Sequence, residues 1–186
     1  MKTTYKFLIT LLLISTLAQA QPRKGEFINA ALGLGISVAD YQNEDIGGSG
    51  FYVQAEYVHA IASWLGIRPY AGLILTSPDK TVNQGNKPNY TATSKAFLVG
   101  GKARFCAPIP YVAPYFETGL GVSIGAFETY TPVTHIKKNG VIPHIPVAIG
   151  LAIGKKHSVE VAFTYYLHPS IDQFSGAAAL GFTFPL

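Results

Sequence analysis

The sequence predicts an all-β fold, an eight-stranded antiparallel up-and-down transmembrane β-barrel, from three observations. Eight segments alternate apolar residues with small or polar ones, the two-residue period of a strand with two different faces. The connections between these segments are long and short in turn, as in bacterial outer-membrane barrels. Only 13% of the residues are charged, against about 25% in ordinary soluble domains, yet no later stretch is long and apolar enough for a transmembrane helix.

The first twenty residues form a separate segment. Two lysines, Lys2 and Lys6, precede an apolar run, 7–13, and the small-residue sequence Ala-Gln-Ala follows at 18–20, which is the pattern of a secretory signal peptide. The run is too short to cross a bilayer as a helix, for which roughly 20 residues are needed. We therefore expect cleavage between Ala20 and Gln21, leaving residues 21–186 as one barrel domain.

The strands follow the alternating segments in order. The first puts Ile28, Leu32 and Leu34 on one face and Gly33 and Gly35 on the other. The eight segments are 26–38, 50–60, 67–76, 94–105, 113–126, 141–153, 158–168 and 175–186.

Later segments carry charge on the face opposite the apolar one. The fourth places Lys102 and Arg104 opposite its phenylalanines and valine, the fifth places Glu117 among glycines, and the seventh places Glu160 beside Thr164. A membrane barrel explains this pattern, with the apolar face towards lipid and the small or charged face towards the lumen.

The connections define an orientation. The stretches 39–49, 77–93 and 127–140 are long and polar, whereas 61–66, 106–112 and 154–157 are short; only 169–174 is a brief connection on the long side. Long connections are extracellular in such barrels, so both termini are expected on the periplasmic side.

The sequence predicts the strand register of two hairpins. In an antiparallel pair, the numbers of any two directly opposed residues add up to the same value, so choosing the centre of the turn fixes every pair. Centring the first turn on 108–110 and the second within 169–174 brings like faces together, as register requires. The predicted pairs are Ala103–Phe116, Val99–Leu120, Phe97–Val122 and Lys102–Glu117, then Phe163–Leu180, Val161–Phe182 and Val159–Phe184.

Aromatic residues near the predicted strand ends suit the interfacial girdles of a membrane barrel. They are Phe51, Trp64, Phe105, Tyr111, Phe116, Tyr165 and Phe184.

The chain from residue 21 onward resembles the small outer-membrane β-barrel family that includes the OmpA transmembrane domain and OmpX. The resemblance rests on the eight segments, the cleavage site and the last strand, in which Leu180, Phe182 and Phe184 resemble the family's C-terminal assembly signal. That signal usually ends in an aromatic residue, whereas here Pro185 and Leu186 follow. The resemblance implies the outer membrane of a Gram-negative cell envelope, a porin-like monomer, and lipid and the barrel-assembly machinery as partners.

Charged side chains on the inner face form the best-placed group. Three acids and three bases are expected in the lumen, which in an eight-stranded barrel is just wide enough for side chains to fill. Unpaired charge is costly there, so the six should pair and plug the lumen. The group is Glu56, Arg68, Lys102, Arg104, Glu117 and Glu160.

Composition argues against other functions. The 14 basic residues less the two lysines of the signal leave 12, against 10 acidic residues, and they do not cluster, so no nucleic-acid binding is expected. Cys106 is the only cysteine, which excludes an intrachain disulfide and suits a small filler residue. The histidines are dispersed without ligand spacing, so neither a metal nor a cofactor is expected.

We therefore predict a non-enzymatic outer-membrane barrel with a structural or surface-recognition role, an unknown ligand binding at its long loops. Three alternatives stay open. One is a narrow pore or transporter for small solutes, and another is a soluble, exported, lipocalin-like binder with its apolar face inside. The third is a lipid-modifying enzyme of the lipid A deacylase type, for which His168-Pro169-Ser170 is the one His-x-Ser triplet, although His168 should point inward.

Overall fold

The alternating segments form eight strands that close into one antiparallel barrel in chain order, with β8 paired to β1. The fold class is as predicted. The computed structural model describes residues 24–39, 46–78, 91–130, 135–170 and 173–186, so the predicted signal peptide, with Ala20 and Gln21, lies outside the described residues. The strands are β1 Gly25–Ala39, β2 Ile46–Ala60, β3 Leu65–Pro78, β4 Thr91–Cys106, β5 Val112–Tyr130, β6 His135–Ile153, β7 Val159–Leu167 and β8 Gln173–Pro185.

The apolar face lies on the outside. Leu34 and Leu120 expose 67% and 74% of their surface, while Asn29 and Ser37 on the inner face of β1 are buried. Leu180, Phe182 and Phe184 of the predicted assembly signal also point outward, as do the seven aromatics expected at the interfaces. A soluble lipocalin-like binder would need the reverse arrangement. Among the described residues, no helix is long and apolar enough to span a bilayer.

Strands continue into the stretches predicted as long connections. Residues 46–49, 77–78, 91–93, 127–130 and 135–140 are all in strands, so those boundaries were wrong. The prediction followed apolar alternation, which ends where outward side chains become polar. Backbone pairing does not depend on that polarity, and β5 and β6 stay paired as far as Tyr130 and His135.

The predicted register of β4 and β5 was wrong by two residues. Ala103 pairs with Thr118, and Glu117 faces Arg104 instead of Lys102. The reversal is not centred on 108–110, because Tyr111 adopts a positive φ of 66° and the Ala107 amide donates to the Pro114 carbonyl at 2.9 Å. A shift of two residues keeps every side chain on its face, so matching faces could not reveal the error.

The register of β7 and β8 was wrong by the same amount. Val161 pairs with Leu180, and Val159 with Phe182. The observed register places Gly181 opposite Glu160, where the predicted one would have placed Thr183. A Cβ atom on Gly181 would lie 3.1 Å from the Asn29 side chain and 3.5 Å from the Glu160 Cβ, so a glycine leaves the space that the inward Asn29 side chain occupies.

Candidate functional site: the closed lumen

The six charged residues predicted for the lumen lie together in one ion-paired network, called here the lumen charge cluster. Arg104 holds Glu160 with both terminal nitrogens, Nη1 to Oε1 at 2.8 Å and Nη2 to Oε2 at 2.7 Å. Arg68 contacts all three acids, with its Nε 2.6 Å from Glu56 Oε2 and its Nη1 3.2 Å from both Glu117 and Glu160. The two guanidinium groups thus link carboxylates from three different strands.

Lys102 completes the lumen charge cluster. Its Nζ lies 2.5 Å from Glu56 Oε1 and 2.7 Å from Glu117 Oε2, while Arg104 Nε donates to Glu117 Oε1 at 2.6 Å. Every acid therefore contacts at least two bases, and the six formal charges cancel. A buried charge is tolerable when it is paired and hydrogen-bonded in this way.

Glycine makes room for the large inward side chains. Lys102 is directly paired with Gly119, Glu160 with Gly181 and Tyr52 with Gly33. Such pairs alternate large and small residues around the wall, which fills a narrow interior without voids. The glycines of the inner face, read from the sequence as part of a small polar surface, are thus packing positions.

Tyrosines lie next to the lumen charge cluster, further from the chain termini. The Tyr52 and Tyr166 hydroxyls are 2.8 Å apart, and Tyr166 donates to Gln54 Oε1 at 2.7 Å. Gln54 in turn donates to Glu56 Oε1 at 2.5 Å. The hydrogen-bonded network therefore continues from the ion pairs into the aromatic side chains.

An apolar layer, missed by the sequence analysis, fills the lumen beside these tyrosines. Ile74, Leu98 and Phe127 all point inward with at most 1% of their surface exposed. Because Gly35 has no Cβ atom, β1 can lie close to the Ile74 side chain. A Cβ atom at this position would lie 2.9 Å from Ile74 Cγ1. The layer consists of Tyr52, Tyr70, Ile74, Ala96, Leu98, Phe127, Ile142, Tyr166, Ala177 and Ala179.

Serine hydroxyls connect strands across the interior near the other end of the barrel. Ser94 of β4 lies 2.8 Å from Ser37 of β1 and 2.8 Å from Ser175 of β8, measured between Oγ atoms. β1 and β4 are three strands apart in the barrel, so the hydrogen bond between them crosses the lumen.

A chain of hydrogen bonds involving two histidines lies on the β5–β7 side of the lumen. The Tyr70 hydroxyl is 2.5 Å from His144 Nε2, and His144 Nδ1 is 2.7 Å from Ser123 Oγ. Ser123 Oγ is also 2.9 Å from His168 Nε2. The sequence analysis treated the histidines as dispersed, although His144 and His168 occupy the positions just beyond the Ile145–Leu167 pair, which a constant-sum test of β6 and β7 could have found.

The histidine and the serine of the His168-Pro169-Ser170 triplet lie in different environments. His168 is 4% exposed and bonds to Ser123, whereas Ser170 is exposed. The inward direction expected for His168 is thus observed.

Two small cavities remain beside the lumen charge cluster. One, of about 80 Å³, opens near the start of β1 and is lined by Phe27, Cys106 and His157 as well as by charged residues. The other, of about 20 Å³, lies among the tyrosines and carboxylates and has room for about one water molecule. Arg104 and Glu160 line both cavities, so their ion pair separates the two.

A closed eight-stranded antiparallel barrel with an apolar exterior and a filled polar lumen is the architecture of small outer-membrane β-barrels. Solved structures of that kind resemble this chain in fold. Neisserial surface protein A has a TM-score of 0.57 and 13% sequence identity, covering 88% of this chain and 98% of its own. OprG from Pseudomonas aeruginosa has a TM-score of 0.52 and 10% identity, covering 90% and 99%.

A further structural neighbour is Ail, the attachment invasion locus protein of Yersinia pestis, with a TM-score of 0.50 and 15% identity over 87% of this chain and 100% of Ail. Identities this low establish the shared fold alone. No protein-family model and no curated protein matches the sequence.

Proposed function

We propose that this protein is a non-enzymatic, monomeric outer-membrane β-barrel whose lumen is closed and whose role is structural or recognition at the cell surface. The proposal rests on the observation that two neighbouring groups of side chains fill the lumen, the lumen charge cluster and the apolar layer. In this proposal a cleaved signal exports the chain and the barrel-assembly machinery recognises its last strand.

The apolar layer argues against the pore alternative. Rearranging the ion pairs could open the level of Glu117 and Lys102. Ile74, Leu98 and Phe127 would still fill their part of the lumen because they take no part in the ion pairs, and an ion passing these side chains would gain no compensating polar contact from them. The serine contacts between β1, β4 and β8 cross the lumen beside this layer.

Recognition, in this proposal, belongs to the end of the barrel opposite the chain termini, at residues 39–49, 77–93 and 127–140. These stretches hold strand ends and the connections beyond them, and binding residues are usually found on loops that a rigid scaffold positions. Ail, one structural neighbour, has been solved in complex with the heparin analogue sucrose octasulfate.

The position of the candidate base argues against the enzyme alternative. His168 is buried in the lumen and hydrogen-bonded to Ser123, where it is not accessible to a lipid substrate. Ser123 is completely buried and so is closed to a lipid substrate.

Conductance tests the closed lumen. The full chain, refolded and checked for heat-modifiable gel migration, should give no steady current in planar bilayers, and Lys102→Gln should give none either because the apolar layer is intact. Regular open-channel currents from the wild type would overturn the proposal. Loss of lipid A acyl chains on exposure to the wild type, absent with His168→Ala, would overturn its non-enzymatic part.

A further inference from the structure

We infer that the cavity of about 80 Å³ near the start of β1 is a binding site for a small organic anion with a short apolar body, of the short-chain carboxylate type. The cavity lies at the end of the barrel that holds the chain termini. Neither closure of the lumen nor recognition at the opposite end uses it. The site is therefore additional to the proposed function and does not depend on it.

The volume of the cavity limits the ligand to a few atoms. A cavity of about 10–15 Å³ has room for one water molecule, so this one has room for about five to eight atoms of that size. On its inner side it ends at the ion pair of Arg104 and Glu160, which also line the smaller cavity beyond. A ligand would thus enter from the end of the barrel and stop at this pair.

One part of the cavity wall is apolar. Phe27 and Val58 are directly paired on the inner face of β1 and β2, and both line the cavity together with Ala62 and Ala152. The Cys106 side chain adds a polarizable sulfur to this lining. These side chains supply surface for the apolar part of a ligand, as in most small-molecule sites.

Another part of the cavity wall is basic. Arg104, Lys156 and His157 line it, and the acid that lines the cavity, Glu160, is held by both terminal nitrogens of Arg104. Lys156 is exposed and lies outside the lumen charge cluster, whose six charges cancel, so it adds an uncompensated positive charge. A cleft with an excess of one sign of charge attracts small ions of the opposite sign.

Hydrogen bonds between two connections hold Lys156 beside the cavity. The Gly154 amide donates to the Tyr111 carbonyl at 2.8 Å, and His157 Nε2 donates to the Ile109 carbonyl at 3.1 Å. The connection between β6 and β7 is thereby fixed against the one between β4 and β5. The basic part of the wall is in place before a ligand arrives, which lowers the entropic cost of binding.

Alkylation of Cys106 tests the site, because Cys106 lines the cavity and is the only cysteine of the chain. The probes are iodoacetate and iodoacetamide, which are similar in size and differ in charge. With either reagent the thiolate sulfur bonds to the CH₂ carbon, iodide leaves, and the thiol proton passes to the buffer. Relative to the urea-unfolded chain, the folded barrel should favour iodoacetate by about two- to fivefold, the effect of one exposed charge pair.

Two adjacent lysines provide a matched pair of variants. Lys156→Gln should remove most of the preference for iodoacetate. Lys155→Gln should keep it, because Lys155 is equally exposed but is not among the residues that line the cavity. An absent preference in the wild-type barrel, or an equal preference in the wild type and Lys156→Gln, would overturn the inference.

A second measurement uses the wild-type barrel alone. At constant ionic strength, butyrate should slow the alkylation of Cys106 by iodoacetamide, whereas butylammonium, with the same apolar body and the opposite charge, should not. Equal slowing by the two would contradict the selectivity for anions, and no slowing by butyrate would contradict the site itself. Heat-modifiable gel migration before each labelling confirms that the rates compare folded barrels.

Discussion

Arg104 donates two parallel hydrogen bonds to Glu160, of 2.8 and 2.7 Å. Its guanidinium carbon lies 3.5 Å from the centre of the Tyr115 ring. A bidentate guanidinium–carboxylate pair fixes geometry as well as charge. Stacking on an aromatic face adds a cation–π attraction. This pair from β4 and β7 therefore holds opposite parts of the wall together at the level of the lumen charge cluster.

Glu160→Gln should destabilise the folded barrel by about 3–5 kcal/mol, because it removes one of the three carboxylates and leaves the buried lumen charge cluster with one uncompensated positive charge. Urea unfolding in lipid vesicles, followed by tryptophan fluorescence, measures the change. Glu26→Gln is the control, since Glu26 lies at the rim with 56% of its side chain exposed and should unfold as the wild type does. Equal unfolding midpoints for Glu160→Gln and the wild type would contradict the structural importance of the pair.

Replacing two neighbouring glycines of β4 with alanine should change the stability of the barrel by different amounts. A Cβ atom at Gly100 would overlap the Leu120 carbonyl oxygen and lie 2.8 Å from the Tyr70 hydroxyl, whereas one at Gly101 would meet nothing within 4 Å. Gly100→Ala should therefore cost about 1–3 kcal/mol, as overpacking usually does, and Gly101→Ala should cost little. Refolding yield on semi-native gels compares the two, and equal yields would argue against close packing of the lumen at Gly100.

The apolar layer predicts a contrast between two leucines on adjacent strands. Leu98 is completely buried in the lumen, while Leu120 is 74% exposed on the outer face. Leu98→Ala should destabilise the barrel by about 2–5 kcal/mol through the cavity it leaves, and Leu120→Ala should have a smaller effect because lipid fills the vacated space. Urea midpoints in vesicles measure both, and a larger effect at Leu120 would mean that the lumen is not packed at Leu98.

The sequence predicted the barrel, its faces and the lumen charge cluster because each depends on alternation alone, a local property of the chain. Inward placement of Glu117 and Lys102 follows from their position along one strand. The apolar layer was missed because inward Leu98 lies between outward Phe97 and Val99. Such an apolar run has no contrast between its two faces, so one strand alone does not mark Leu98 as part of a layer. The pairing of His144 with His168 needs the register of two strands, which turn geometry sets.

Disulfide trapping distinguishes the observed β4–β5 register from the one that the turn residues suggest. In a Cys106→Ala background, Ala103→Cys with Thr118→Cys joins directly opposed residues, whose Cα atoms are about 4.5–5.5 Å apart in antiparallel pairs. Ala103→Cys with Phe116→Cys is offset by two residues, about 7–8 Å, beyond the reach of an unstrained disulfide. Mild oxidation of the folded barrels should therefore cross-link the first pair and leave the second as free thiols, as measured by thiol titration. The opposite result would restore the register centred on 108–110 and return Lys102 to a position facing Glu117, in which case Arg104 would lose the strand neighbour that now anchors it.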